Sequence, residues 1–411
     1  MKKILFLLLF QLASAIHAQN LTVQNLTVTG TTNLALPPAV PGDCKNILSY
    51  GGAGNNSTDN TTPLNNLLAA ASNGPVCAYF PPGKYKFSAN VAYTLANANA
   101  SITIKGDGAD LTELTWSGTD GITVNYVSPF NSVHVRDMTF TTSGVNGGTA
   151  LKLNQTYASY GNTANSAPSD IIGVTFRGAD GYAAAQYWAY GIDVFNVSNI
   201  NFINDSFTGG AGGYATAGVG VNLHGTSAVP PVVFNFTDTL FQWLQTGIIY
   251  GAYVQGVTVA QSNFTGDGYG IHVPANDQII DQLAVTSSEF NCGLQGIYVE
   301  SSLSNTIIHN DYFIVPTNAV GLGMPTIYSY SIVGNTFEPL MGATNTTGVA
   351  INNTIGSGGV ISANVFSYLN TGVYLQSASS KANLQSNQYA NNTNDYVNSA
   401  GNKNKVGVAT P

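Results

Sequence analysis

Ser262-Asn-Phe-Thr-Gly-Asp-Gly-Tyr-Gly-Ile-His-Val273 returns 26 residues later as Ser288-Glu-Phe-Asn-Cys-Gly-Leu-Gln-Gly-Ile-Tyr-Val299. Two phrases are nested in it: a small polar residue followed by x-Phe, and Gly-aliphatic-x-aliphatic. Working outward, the first phrase ends at Phe140, Phe176, Phe207, Phe241, Phe264, Phe290, Phe313, Phe337, Phe366 and Tyr389, at spacings of 23 to 36 residues. The second recurs at Gly191, Gly220, Gly247, Gly270, Gly296, Gly348 and Gly372, and the two alternate in fixed order.

A unit of this length, with two or three short β-prone runs and no helix, cannot bury its own apolar side and must stack on its neighbours. Each unit is therefore one coil of a solenoid. By the strand period of two, Ile192, Val221, Ile248, Ile271, Ile297, Val349 and Val373 form one inward column. Val194, Leu223, Tyr250, Val273, Val299, Ile351 and Leu375 form the next. Each such side chain contributes roughly 1.5–3 kcal/mol when fully buried, so these columns should be the main source of stability. The Leu-rich consensus of the competing leucine-rich solenoid is missing. The fold class read here is all-β, a parallel β-helix.

The flanks of the repeat read differently. Residues 1–18 open with Lys2 and Lys3, run through apolar Ile4 to Phe10 and reach small residues at Ala13, Ala15 and Ala18, the pattern of a cleaved signal peptide too short to span a bilayer. The mature chain is then expected outside the cytoplasm, secreted, periplasmic or on the cell surface, with no membrane span. Residues 19–42, with Asn20-Leu-Thr-Val23 echoed by Asn25-Leu-Thr-Val28, read as a stalk or linker of the kind found in trimeric fibres, so a homotrimer is one expectation. Residues 43–411 are assigned to the β-helix domain. One helix is expected, Pro63 to Ser72, with Thr62 as N-cap and Gly74 as stop, covering the open end of the core.

Composition narrows the partners. Only 8% of residues are charged, and with Lys2 and Lys3 removed 10 basic side chains face 20 acidic ones, a net charge of about −10. Nucleic acid is excluded on that balance, whereas a polysaccharide, held by hydrogen bonds and aromatic faces, is compatible. Three cysteines in an exported chain permit one disulfide. Cys44 and Cys77 are the expected pair, flanking the first segment of the domain; three free thiols are the alternative.

Tyr50-Gly-Gly-Ala-Gly with Thr58-Asp-Asn-Thr61, Tyr79-Phe-Pro-Pro-Gly-Lys-Tyr85 and Ile102-Thr-Ile-Lys-Gly-Asp-Gly108 resemble the N-terminal part of the pectate lyase and rhamnogalacturonase-like superfamily of right-handed parallel β-helix proteins. The resemblance implies that fold over roughly residues 44–400. It leaves activity open, because the superfamily includes hydrolases, lyases, epimerase-like enzymes, tailspike depolymerases and proteins that bind without cutting. The Asn-x-Asp, Asp-Asp, Gly-His-Gly and Arg-x-Lys phrases of polygalacturonase-like members are absent. Asp59 and Asp107 belong to the fold phrases and are assigned to turn hydrogen bonding, and Arg136 to a structural role.

Outward positions of the Gly-aliphatic phrase read Asp193, Asn222, Ile249, His272, Tyr298, Ala350 and Tyr374, then Phe195, His224, Gly251, Pro274, Glu300, Asn352 and Gln376. Stacking does not require such side chains, which makes this face the default groove. Glycoside hydrolysis needs two carboxyl groups, one to protonate the leaving oxygen and one to act as nucleophile or activate water. Glu300 and Asp277 on adjacent coils are the candidate pair, with His272 between them and Asp267 as a third carboxylate. Asp193, Asn222, His224, Tyr298, Tyr374 and Trp188 are the candidate substrate-binding residues, Trp188 through a groove-lining loop from Tyr182 to Tyr190. No metal ligand set is legible and no cofactor is expected; calcium is an alternative for which the sequence shows no clear ligand cluster. The expected function is an exported glycan-cleaving protein of glycoside hydrolase type. A non-catalytic glycan-binding or adhesion protein is the rival, and a polysaccharide lyase the further alternative.

Overall fold

The computed structural model describes residues 44–70, 75–156, 166–215, 218–275, 280–376, 381–400 and 404–406. The expected signal segment and stalk lie outside these residues, as does Asp277. The strands join in parallel ladders through about 12 turns of a β-helix, and each typical coil contributes one strand to each of three sheets. The glycine sheet contains Tyr190–Phe195, Val219–His224, Thr246–Tyr250, Tyr269–Val273 and Gln295–Val299. The middle sheet contains Val232–Thr237, Gln255–Ala260 and Leu303–His309, and the phenylalanine sheet Leu240–Gln242, Asn263–Thr265 and Glu289–Asn291.

The inward register is as expected. Ile192, Val221, Ile248, Ile271 and Ile297 pair in sequence, and every residue of both predicted columns is completely buried. One further coil joins them: Leu322 continues the first column between Ile297 and Val349, and Met324 the second, opposite Ile351. Gly321-Leu-Gly-Met hides the phrase because glycine also occupies its outward position.

The phenylalanines form one stack. Successive rings from Phe207 to Phe313 lie 4.7–5.0 Å apart and nearly parallel, the spacing of adjacent strands. The stack extends beyond Phe140 through Trp116 at 5.7 Å to Phe87 at 4.5 Å. This explains the glycine of the second phrase. A Cβ on Gly270 would stand 2.7 Å from Phe290 Cδ1 and 2.6 Å from the Gly296 oxygen, and the same pair of clashes recurs at Gly191, Gly220, Gly247, Gly296, Gly321 and Gly348. None of these glycines has positive φ. They are required for space, not for backbone conformation.

The polar residue of the Phe phrase is a second internal ladder. The backbone N–H of Ser288 donates to Asp311 Oδ1, that of Asp311 to Asn335 Oδ1, that of Asn335 to Asn364 Oδ1 and that of Asn364 to Asn387 Oδ1, at 2.8–3.1 Å. Each side chain thus satisfies a buried donor of the preceding coil. Carboxylates in this ladder are out of place: burial pushes Asp311 up to about 7 and Asp205 well above the usual range.

At the N-terminal end the helix is Thr61–Ala69, two residues earlier than expected, and it buries Pro63, Leu64, Leu67 and Leu68. Thr62 is not its N-cap. Asp59 instead accepts from the backbone N–H and hydroxyl of Thr61 and from the N–H and hydroxyl of Ser88. Those bonds, Ser88 foremost, hold its carboxyl down at about 2. Asp107 accepts from the Tyr79 hydroxyl at 2.7 Å. Cys44 and Cys77 are bridged, and Cys292 is free and buried.

Candidate functional site on the glycine sheet

Side chains between the buried columns point outward. The register aligns Lys152, Asp193, Asn222, Ile249, His272, Tyr298, Gly323, Ala350 and Tyr374 in one column. Unlike the interior it does not repeat, and three different neighbourhoods follow one another along it.

The first is polar. Asp193 Oδ1 accepts from Asn222 Nδ2 at 2.7 Å and lies 3.0 Å from His224 Nε2. Burial pushes the Asp193 carboxyl up, but the bond to and charge of His224, the bond from Asn222 and the charge of Lys152 outweigh it and leave it below the usual range. Lys152 in turn pairs with Asp120 at 2.6 Å. Lys152 was legible in principle, since Ala150-Leu-Lys-Leu153 is the second phrase with alanine replacing glycine.

The second neighbourhood contains the candidate chemistry. His272 Nε2 and Glu300 Oε2 lie 2.7 Å apart, with side chains 20% and 32% exposed. The His272 ring packs against Tyr269 and Tyr298, centroids 4.9 and 5.4 Å away, and the two tyrosine rings lie 5.6 Å from each other, so the three form one triangular cluster. Burial, then the charge and hydrogen bonding of Glu300, push the Tyr298 phenol up to about 12. Tyr298 therefore stays protonated through neutral pH, beside Glu300. Tyr269, not anticipated as a site residue, is raised by burial and by Glu300.

The third is a cleft of about 180 Å³ lined by Gln295, Tyr298, Gly323, Ala350, Asn352 and Gln376. Gly323 and Ala350 make its floor because they carry little or no side chain. Gln295 Oε1 is buried there without a hydrogen-bond partner.

Two candidates belong elsewhere. Trp188 is buried; its indole N–H donates to the Phe140 carbonyl at 3.2 Å and its ring lies 6.2 Å from that of Trp116, so it fills the core instead of lining a groove. Asp267 is fully buried and accepts from the Leu244 N–H, its turn being folded inward, so it does not reach the open face. Arg136 is held by Asp170 at 2.9 and 3.0 Å, with His134 on the same carboxylate. Another network on the phenylalanine sheet joins Arg177 to Asp110 and Glu113, and Glu113 to Lys84.

The sequence profile of the rhamnogalacturonase A/epimerase, pectate lyase-like family matches residues 44–272. The chain belongs to that family. Residues 198–406 also match the profile of the periplasmic copper-binding protein NosD, so this pectate lyase-like chain carries NosD-type coils in its C-terminal half. Among solved structures it is similar to the A-module of mannuronan C-5 epimerase AlgE6 from Azotobacter vinelandii, at 15% identity and a TM-score of 0.60, covering 89% of this chain and 99% of that one. The AlgE4 A-module of the same organism gives 14%, 0.57, 88% and 100%. The Dettilon tailspike protein gives 10%, 0.58, 84% and 68%. These likenesses establish the fold. No curated protein matches the sequence.

The NosD profile raises the question of copper. Among the described residues no group of three or more His, Cys, Asp and Glu side chains could hold a metal ion. His224 and His272 each face a single carboxylate, and Cys292 is sealed in the interior. This donor set does not fit a copper centre. Among the same residues no helix is long and apolar enough to cross a membrane.

Proposed function

We propose that this pectate lyase-like chain is an exported polysaccharide-active protein that binds a glycan along its glycine sheet and cleaves it by glycoside hydrolysis at Glu300. The observation that carries the reading is the His272–Glu300 contact of 2.7 Å, flanked by Tyr269 and Tyr298 on the open face. In the tautomer with Nε2 protonated, His272 donates to Glu300 and fixes the carboxyl where a glycosidic oxygen would lie. Glu300 enters the step as the protonated acid, with His272 on Oε2 and the proton on Oε1; it gives that proton to the leaving oxygen, water attacks the anomeric carbon, and Asp277, the expected second carboxyl, takes the water proton. The neighbouring cleft suits a sugar ring: Tyr298 offers an aromatic wall, Asn352 and Gln376 offer amides, and Gln295 Oε1 awaits a hydroxyl donor. Export is supported by the basic and apolar N-terminal pattern and by the periplasmic description of NosD.

The test is release of reducing ends from a panel of neutral and acidic glycans, with Glu300→Gln beside the wild type. The expected loss is on the order of 10²- to 10⁴-fold in rate with glycan binding retained. An unchanged rate rejects Glu300 as the acid. Products with the ultraviolet absorbance of an unsaturated sugar would indicate a lyase. Binding without cleavage on every glycan would leave an adhesion protein.

A further inference from the structure

In four coils the corner that leads from the phenylalanine sheet into the glycine sheet turns on a left-handed residue, the second after the stacked ring. At Phe264-Thr-Gly266 that residue is glycine, and at Tyr389-Ala-Asn391 it is asparagine, with φ of 71° and 56°; these are the residues that tolerate this conformation. At Phe241-Gln-Trp243 and Phe366-Ser-Tyr368 the same corner holds a bulky aromatic, with φ of 54° and 58°. The backbone roles match: the N–H groups of Trp243, Gly266 and Tyr368 each donate to a carbonyl of the following coil, at 3.0, 2.7 and 2.8 Å.

A bulky side chain in this region is a true outlier, and strain held in a fold points towards function. Here the strained rings are not stored in the core. Trp243 is 38% exposed and Tyr368 67% exposed, so packing does not account for them. Trp243 lies on a floor of glycine, where a Cβ on Gly266 would stand 2.6 Å from its Cδ1. Beside it, Tyr214 covers Gly268 and Gly293 and is 37% exposed. The segments beneath Trp243 and Tyr214 carry a single charged side chain, Asp267, which is buried. They run directly into Tyr269 and Gln295, the first residues of the strands that bear His272 and Tyr298.

We propose that Trp243, Tyr214 and Tyr368 form an aromatic ridge that binds a neutral polysaccharide outside the His272–Glu300 cluster, each ring stacking on the C–H face of a pyranose. The inference rests on the glycan reading above and names its class: neutral rings, with the Glu338 carboxylate accepting from Ser367 beside Tyr368, select against a polyuronate. Trp243 and Tyr368 stand five coils apart, from the Phe241 rung through Phe264, Phe290, Phe313 and Phe337 to Phe366. At about 4.8 Å per coil that is roughly 24 Å, a span that favours a polymer over a monosaccharide.

Trp243→Gly is an informative variant because glycine is the residue the neighbouring coil uses at this corner, so relief of strain should preserve the fold. Of the three tryptophans, Trp116 and Trp188 are buried, so the exposed component of the emission reports on Trp243. Full-length wild type, Trp243→Gly, Tyr368→Asn and Tyr298→Ala are compared by affinity electrophoresis in gels containing a β-glucan, a galactan, a mannan or a polyuronate, and by thermal unfolding. The expected result is retention by at least one neutral polymer, with a shift in tryptophan emission. Trp243→Gly should weaken that retention about tenfold or more, with an unchanged or higher Tm. Unchanged retention, a lower Tm, or preference for the polyuronate overturns the ridge. If retention depends on Tyr298 but not on Trp243, the ridge fails and the glycine-sheet reading stands; if the wild type binds no glycan, both fail.

Discussion

In the strand Gly270-Ile-His-Val273 the two faces obey different rules. Inward, Gly270 and Ile271 occupy positions that look alike in coil after coil, glycine against a phenylalanine edge and an aliphatic side chain in a buried column. Outward, His272 follows Ile249 and precedes Tyr298, Gly323 and Ala350, with no two neighbours alike. A solenoid needs its interior to repeat because each coil buries its apolar side only against the next. Nothing in stacking constrains the outward column, so its variety is available for recognition and chemistry.

The largest effects are expected in the interior. Phe290 stacks between Phe264 at 4.7 Å and Phe313 at 4.8 Å, so Phe290→Ala should cost about 3–5 kcal/mol, read as a fall in the denaturant midpoint. Gly270→Ala inserts a methyl against Phe290 and the Gly296 carbonyl and should cost about 1–3 kcal/mol. A neutral Gly270→Ala would show that the glycines serve the backbone and not the space beside the ring.

A smaller effect sharpens the same contrast within the interior. Asp311 occupies a ladder position that Asn335, Asn364 and Asn387 fill in the following coils, and its Oδ2 is buried without a partner. Its carboxyl is raised by burial to about 7 in the folded protein, against about 4 when unfolded. The folded state therefore holds the proton more tightly, and the associated stability is full below about pH 4 and lost as pH rises through about 7. Asp311→Asn should remove this contribution to the slope and stabilise the protein by about 1 kcal/mol at pH 8. Unfolding midpoints measured from pH 4 to 8 check it, and parallel curves for the two proteins would contradict it.

Sequence legibility followed the same division. The inward columns, the phenylalanine ladder and the Cys44–Cys77 bridge could be read because stacking repeats them or because few partners exist. The Leu322 coil was missed where glycine replaced the outward residue, and the helix start was misplaced because Asp59, not Thr62, satisfies the first turn. The outward face was legible as a set of positions but not as contacts: His272 with Glu300 and Asp193 with His224 were grouped, whereas Trp188 and Asp267 were placed on the surface. Local sequence does not say which way a corner folds, and both residues sit at corners that turn inward. The strained Trp243 corner was invisible because a left-handed backbone leaves no mark when glycine is replaced by tryptophan.

The claim that one strand separates stability from function is tested most directly at His272, two residues from Gly270. Purified His272→Gln would be measured against the wild type for thermal unfolding, glycan retention and reducing-end release. The expected result is a stability within about 0.5 kcal/mol of the wild type, retained binding and a rate lowered on the order of 10²-fold or more. A variant that unfolds several degrees earlier yet cleaves at the wild-type rate once folded would contradict it, since His272 would then belong to the scaffold.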